Sequence, residues 1–362
     1  MPQLLYTGFL KHEAPEAEDS AGFGEGGGMR AVHFLGGGRI SLDDVSTPRP
    51  RGKEVLVRVK SASICGTDRE NLAGPGQKTI PGHENAGVVV TVDEAEKVRV
   101  GDRVAINCHV TCGRCEHCGN GDLYLCDSLS VVGFDRDGGY AESVLVPEAC
   151  CMPIPDTISF EQASLMVDML GTPYRALKRA GVARGDAIAT WGAGPIGLGL
   201  LMMAVRTGAR TAVIDTSEYR LAMAKKLGSE LMLNPDSGPV ADRLREWTDG
   251  RGIRVGFDCV GSERVCLQAI ASLAPRGTLV IVGVSHRLTL DPWEHFICRE
   301  LTILGTRNFN VNDFPDMVRL VQSGLPLLDV VTHRFPLARA EEAFSLFLTG
   351  QCGKILIVEG TE

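Results

Sequence analysis

The stretch AIATWGAGPIG, residues 187–197, carries glycines at 192, 194 and 197 in the spacing G-x-G-x-x-G. Alone that pattern is weak: Gly22, Gly24 and Gly27 satisfy it too, in a segment with no strand before it and no amphipathic helix after it. At residue 187 the context is different. AIATW is an apolar run of strand length, and Pro195 opens the apolar, helix-like stretch PIGLGLLMMAVRTG. Proline suits a first helical turn because the N–H it lacks has no partner there. Gly192 permits the tight turn, Gly194 lets the backbone approach a pyrophosphate, and Gly197 lets the helix pack against the strand. The helix start around Pro195 and Ile196 then offers N–H groups and a positive dipole end to the phosphates. Eighteen residues past Gly197 the next strand ends in Val213-Ile214-Asp215. A carboxylate there accepts hydrogen bonds from ribose hydroxyls and repels a 2′-phosphate, so NAD is expected over NADP. Arg220, close by, is the residue that would favour a phosphate.

Outward from this motif the rhythm holds. After about residue 160, the strand-like runs AIATWG, TAVID, VGFDCVG and GTLVIVGV alternate with helical stretches such as SEYRLAMAKKLG. That alternation predicts an α/β, doubly wound parallel sheet. Between Met29 and about Pro155 the pattern is instead one of short β runs: MRAVHFL, EVLVRVKSASI, AGVVVTV, DRVAINCHV and AESVLVP, with Gly36–Gly38 as a turn between the first two. Such runs, broken by Gly and Pro, predict a barrel or sandwich. The last fifty or so residues read as one helix, within VTHRFPLARAEEAFSLFLTG, and a final strand in KILIVEG, which pattern alone does not place. Residues 1–28, rich in Gly, Glu and Ala, read as a flexible extension, with Met29 opening the folded chain.

A chain of 362 residues suggests two domains. A hydrophobic content of 44% with 23% charged residues belongs to a globular protein, and no apolar run reaches the roughly 18 residues that span a bilayer. The N-terminus lacks the features of a signal peptide, so a cytoplasmic location is expected, where thiols stay reduced. The net charge of −8 argues against a nucleic-acid partner.

Clustered cysteines in a reducing compartment read as metal ligands. TCGRCEHCGNGDLYLCD, residues 111–127, has Cys112, Cys115, Cys118 and Cys126 in the spacing C-x2-C-x2-C-x7-C. Four thiolates complete a tetrahedral zinc shell and leave no position for substrate, so this is a structural zinc site. An iron–sulfur cluster is the alternative use of four cysteines. Gly113, Gly119 and Gly121 ease the wrapping, and His117 is superfluous and expected to be exposed. A catalytic metal needs three ligands and an open position. SICGTD offers Cys65, and IPGHENAG offers His83 and Glu84. Taken singly, these read equally well as a buried thiol and a core histidine.

CGTD at 65–68, GHENAG at 82–87, the four-cysteine lobe and GAGPIG at 192–197 occur in one order along the chain. From Met29 to its end, the sequence resembles the zinc-containing medium-chain dehydrogenase/reductase family, that of zinc alcohol, sorbitol and threonine dehydrogenases. The resemblance implies a GroES-like, β-rich catalytic domain over 29–175 and 309–362, with the zinc lobe at about 108–127, and a Rossmann domain over 176–308. It implies Cys65 and His83 as ligands of a catalytic zinc. The third ligand is Asp168, the metal-binding side chain in SLMVDMLGTPYRAL, and Glu84 is a direct or exchanging ligand. Asp68 would orient the ligand sphere. Thr67 would relay the substrate proton, toward Glu70 where a histidine often stands. Thr172 would meet the nicotinamide end, while Val282-Gly283-Val284 and Gly305-Thr306 would line its ribose and amide. Lys354 would contact the pyrophosphate. Two zincs per chain, NAD, and a homodimer or homotetramer follow from the same resemblance.

The expected activity is hydride transfer between NAD(H) and an alcohol or carbonyl substrate: a secondary alcohol, polyol, cyclitol or sugar. Zinc, as a Lewis acid, makes the alcohol proton easier to lose. Asp168 in place of cysteine, with CGTDRE, leans toward polar substrates. The alternatives are the same site working as a carbonyl reductase, or a catalytically inactive nucleotide-binding or zinc-stabilised interaction protein. The latter would show a damaged ligand set. A zinc-ribbon nucleic-acid binder would need basic and aromatic residues, whereas GRCEHCGNGDLYLCD is mixed and slightly acidic.

Overall fold

The computed structural model describes residues 28–284 and 287–360. The extension read over residues 1–28 lies outside them except for Gly28, which opens the first strand. The first part of the chain forms β1 (Gly28–Gly36), β2 (Arg39–Ser46), β3 (Glu54–Ser63), β4 (Asn85–Val92), β5 (Arg103–Ile106), β6 (His109–Val110), β7 (Ser130–Val131), β8 (Ser143–Pro147) and β9 (Cys151–Pro153). β1 and β2 make an antiparallel hairpin whose turn holds Gly37 and Gly38 at φ of +61° and +80°, a conformation side chains disfavour. No run was expected at β2. RISLDDVS buries no residue fully, so it lacks the apolar signal that marks a strand in sequence. DRVAINCHV, expected as one run, breaks after Ile106. Asn107 Oδ1 accepts from the His109 amide at 3.0 Å, and the Asn107 amide donates to the Cys150 carbonyl. A side chain that bonds the backbone locally competes with the ladder.

The second part follows the period-3.6 and strand rhythm closely. It comprises β10 (Ala187–Trp191), β11 (Arg210–Ile214), β12 (Leu231–Leu233), β13 (Ile253–Asp258), β14 (Leu273–Ile281) and β15 (Thr302–Gly305) in one parallel sheet, in the order β12-β11-β10-β13-β14-β15. Strand order reverses at β10, between β11 and β13, and the crevice beyond the carboxyl ends there is where doubly wound sheets bind ligands. The helix Pro195–Thr207 leaves β10 and ends at Gly208, φ +80°. It buries Leu198, Leu200, Leu201, Met202 and Met203, each worth roughly 1.5–3 kcal/mol relative to exposure. Its Gly199 lets it sit hard against the segment before it: a Cβ there would lie 2.3 Å from the Met169 carbonyl oxygen.

The end of the chain adds the helix Phe314–Gln322, β16 (Val331–Phe335), the helix Ala340–Thr349 and β17 (Lys354–Val358) in turn. Pattern had supplied one helix and one strand there. β16 escaped because it is a short edge strand, half-buried along most of its length. β17 pairs antiparallel with β3, Leu356 opposite Ser63, so the last strand closes the first sheet, ordered β16-β17-β3-β4-β5-β9 with β8 also on β3. A shared apolar core joins Ala86 and Ala105 of this sheet to Leu198, Val213 and Phe257 of the other half. The two sheets therefore present their loops to one another across a fixed seam.

Candidate catalytic metal site and cofactor cleft

Cys65 lies just past the end of β3, His83 and Glu84 just before β4, and Asp168 far along the chain. Asp168 sits in a π-helical turn, Met166–Leu170, between the helices Phe160–Leu165 and Gly171–Ala180. Single π turns widen the helix by one residue and commonly mark functional positions. One ligand atom from each of Cys65, His83, Glu84 and Asp168 falls within 4.8 Å of all the others, with Cys65 Sγ 3.5 Å from Asp168 Oδ2. His83 Nδ1 is buried without a hydrogen-bond partner among the described residues.

The electrostatics of this group call for a cation. Burial, then the charges of Glu84 and Asp168, push the Cys65 thiol pKa well up. A divalent ion reverses that, because a coordinating thiol gives up its proton outright. Burial also works against ionised Asp168, yet His83, Lys354 and the Thr172 hydrogen bond hold its pKa below the usual carboxylate range. A thiol, an imidazole and a carboxylate at this spacing suit zinc with one position left open. Asp68 orients the first of them: its Oδ2 accepts from the Cys65 amide at 2.8 Å and from the Tyr140 hydroxyl.

Cys112, Cys115, Cys118 and Cys126 form the second such group, also within 4.8 Å. Sγ separations of 3.5 Å (Cys115–Cys118) and 4.0 Å (Cys112–Cys118) bracket the roughly 3.8 Å edge of a tetrahedron with zinc–sulfur bonds of about 2.3 Å. Amide groups of Arg114 and Cys115 draw the Cys112 pKa down to about 6, while burial raises Cys126 to about 11. His117 is half-buried rather than exposed. The lobe is moored at Asp122, whose Oδ1 meets Arg175 at 3.1 Å, Asn310 at 2.9 Å and Tyr124 at 3.2 Å.

Both the Cys65 group and the glycine turn open on one cleft of about 2080 Å³, larger than the roughly 300–1,000 Å³ of a usual small-ligand site. A Cβ at Gly197 would lie 1.8 Å from the Gly192 carbonyl oxygen, so the third glycine is obligatory for helix–turn contact. A Cβ at Gly194 would meet nothing within 4 Å, leaving the cradle open to an occupant. Asp215 is buried; its oxygens accept from the Ala193 amide at 2.7 Å and the Ser217 amide at 2.8 Å, which aims the carboxylate at the turn. Pro195, Ile196, Arg220, Val282, Gly283, Val284 and Thr306 all line the same cleft, and the hydroxyls of Thr67 and Thr306 are buried there without partners among the described residues.

Sequence comparison gives this geometry relatives. Residues 195–323 match the zinc-binding dehydrogenase family and residues 51–156 the alcohol dehydrogenase GroES-like domain. L-threonine 3-dehydrogenase of Chromobacterium violaceum is 32% identical over 328 residues, 88% of this chain and 96% of that protein. The chain belongs to the zinc-containing medium-chain dehydrogenase/reductase family. Among solved structures, alcohol dehydrogenase from Thermus sp. ATN1 superposes with a TM-score of 0.86 at 29% identity, covering 91% of this chain and 99% of that one. A protein from Escherichia coli CFT073 described as a short chain alcohol dehydrogenase, solved with NADH, superposes with a TM-score of 0.85 at 28% identity, covering 92% and 100%. As a member of this family the protein is a zinc-dependent oxidoreductase acting on an alcohol, with a nicotinamide cofactor.

Two residues depart from the expectation that the family resemblance raised. Lys354 does not reach out to a pyrophosphate: it is 2% exposed, and its Nζ is 2.8 Å from Glu84 Oε1 and 2.7 Å from Oε2. β17 carries it into the sheet behind the ligands, where a lysine needs a buried counter-charge. Thr172 lines the cleft, but its hydroxyl donates to Asp168 Oδ1 at 2.7 Å, one turn back along the helix. Tyr140, Ser63 and Asp122 were not anticipated. Their partners are distant in sequence, and no local spacing announces them.

Proposed function

We propose that the protein is an NAD-dependent zinc dehydrogenase of a small polar secondary alcohol (a polyol, cyclitol, sugar or hydroxy acid of similar size). The observation that carries this is the Cys65–His83–Asp168 group facing the Gly192–Gly197 turn across one cleft. A zinc ion held by those three side chains would polarise the alcohol oxygen. The chain's own residues do the rest. Thr67, whose hydroxyl lacks a partner, accepts the proton the alcohol loses and passes it on, since a hydroxyl both accepts and donates. Glu70, on the wall of the same cleft, is its outlet. Gly194 and the helix start at Pro195 bind the pyrophosphate, Asp215 takes the adenosine ribose, and Val282 to Val284 with Thr306 flank the nicotinamide. Polar groups at the substrate end, among them His109 and Asn308, support a polar substrate.

In this reading each chain holds two zincs, the second in the four-cysteine lobe. Residues 29–175 with 309–362 form the catalytic domain and residues 176–308 the nucleotide domain. Family habit favours a homodimer or homotetramer, and a cytoplasmic location would keep the clustered thiols reduced and free to bind metal. Among the described residues, no helix is long and apolar enough to cross a membrane. The test is NADH absorbance with the zinc-loaded protein against alcohols, polyols, sugars and hydroxy amino acids, L-threonine included. Zinc at two per chain with turnover of a polar secondary alcohol is expected; an intact, fully loaded protein inert to the whole panel would reject the reading.

A further inference from the structure

Four side chains can reach the catalytic ion, but a dehydrogenase needs only three to do so. If Glu84 joined Cys65, His83 and Asp168, the tetrahedral shell would close and no position would remain for an alcohol. Glu84 is next to His83 in the chain, fully buried, and within the same 4.8 Å group, so distance does not keep it out. Its partners do. Both of its oxygens lie against Lys354 Nζ, and Oε2 also accepts from the Ser63 hydroxyl. The two donors come from paired strands, Lys354 at the start of β17 and Ser63 at the end of β3. A Cβ at Gly353 would lie 2.4 Å from the Val330 carbonyl oxygen, so the approach to Lys354 is fixed by backbone contact. A fully buried lysine is costly and contributes little to stability through its ion pair alone, which leaves its purpose to be explained at the site.

We propose that Lys354 is a positioning residue that sets the coordination number of the catalytic ion: with Ser63 it holds Glu84 outside the coordination sphere as a counter-charge, and without it Glu84 takes the position the substrate needs. This rests on the reading of Cys65, His83 and Asp168 as a metal site. Once Lys354 is gone, the carboxylate is a buried anion whose remaining cationic neighbour is the ion itself. A fourth protein ligand makes the ion harder to remove and the site less accessible.

Cobalt(II) in place of zinc reports both effects through its visible spectrum. In the wild-type holoenzyme, added imidazole should occupy the open position and shift the bands. Lys354→Met should keep its cobalt against a chelator at least as well as wild type, yet bind imidazole about ten-fold or more weakly. Lys354→Met/Glu84→Gln should recover the imidazole response, and Lys354→Arg should behave as wild type. Ser63→Ala, which leaves the ion pair in place, should give a partial shift. Imidazole binding unchanged in Lys354→Met, or cobalt lost from it, overturns the proposal. A wild-type protein that takes up cobalt only in the four-cysteine lobe overturns the underlying site reading instead.

Discussion

Thr172 Oγ1 donates to Asp168 Oδ1 at 2.7 Å, joining a residue at the start of the helix Gly171–Ala180 to the carboxylate in the preceding π turn. The bond fixes which carboxylate oxygen faces Cys65, since Oδ2 is the one 3.5 Å from Sγ. Thr172→Val keeps the shape and removes the donor. It should lower zinc retention or kcat/KM by about 10–100-fold, the usual effect of losing a partner of a metal ligand, while Thr172→Ser should retain most of both. A chelator titration with parallel kinetics decides it; a valine variant equal to wild type in both would remove Thr172 from this role.

The four-cysteine lobe should behave as a fold element. Cys115→Ser is expected to remove one zinc per chain and to lower the Tm by roughly 5–10 °C. Because Tyr124 and Leu125 of the lobe line the cleft, KM should rise before kcat falls. An unchanged Tm with kcat abolished would mean that chemistry happens at the lobe.

How much of this was legible in the sequence depended on range. The parallel sheet was readable because buried strands such as AIATW and TAVID are continuous apolar runs bounded by glycine. That Cys65, His83 and Asp168 would come together was readable through their motifs and the family they resemble. What surrounds them was not. Lys354 was expected at the pyrophosphate because a lysine in GKILIV carries no mark of burial; only the structure, with β17 paired to β3, shows that it meets Glu84. β2 and β16 were missed for the same reason: their place is set by neighbours, not by their own apolar pattern.

Asp215 should govern cofactor choice. Asp215→Ala removes the ribose acceptor and also strands the amides of Ala193 and Ser217. The kcat/KM with NAD should fall by about 10–100-fold, as expected for a lost charged hydrogen bond, and the NADP/NAD ratio should rise, with Arg220 still beside the site. Measuring both cofactors at saturating alcohol tests this. A ratio that does not move would detach Asp215 from discrimination.

His109 should make the fold acid-sensitive. It is buried and held neutral, with Nδ1 against Asn107 Oδ1 at 2.7 Å and Nε2 against Asn308 Nδ2 at 3.1 Å. Burial first, then Arg307 and His83, lower its pKa from 6.5 to about 3. The unfolded chain therefore takes up a proton that the folded one refuses. This contribution to stability is intact above pH 6.5 and is lost as pH falls from there toward 3. Comparing Tm against pH for wild type and His109→Gln isolates it: the wild-type curve should drop more steeply in that window, and parallel curves would exclude the effect.

The pairing of β17 with β3 has a bearing on biosynthesis. The ribosome adds Lys354 some 270 residues after its carboxylate partner Glu84. Until β17 has been made, β3 lacks one of its antiparallel partners in the first sheet. Chains halted before β17 should therefore accumulate as aggregation-prone species with an unpaired edge on β3.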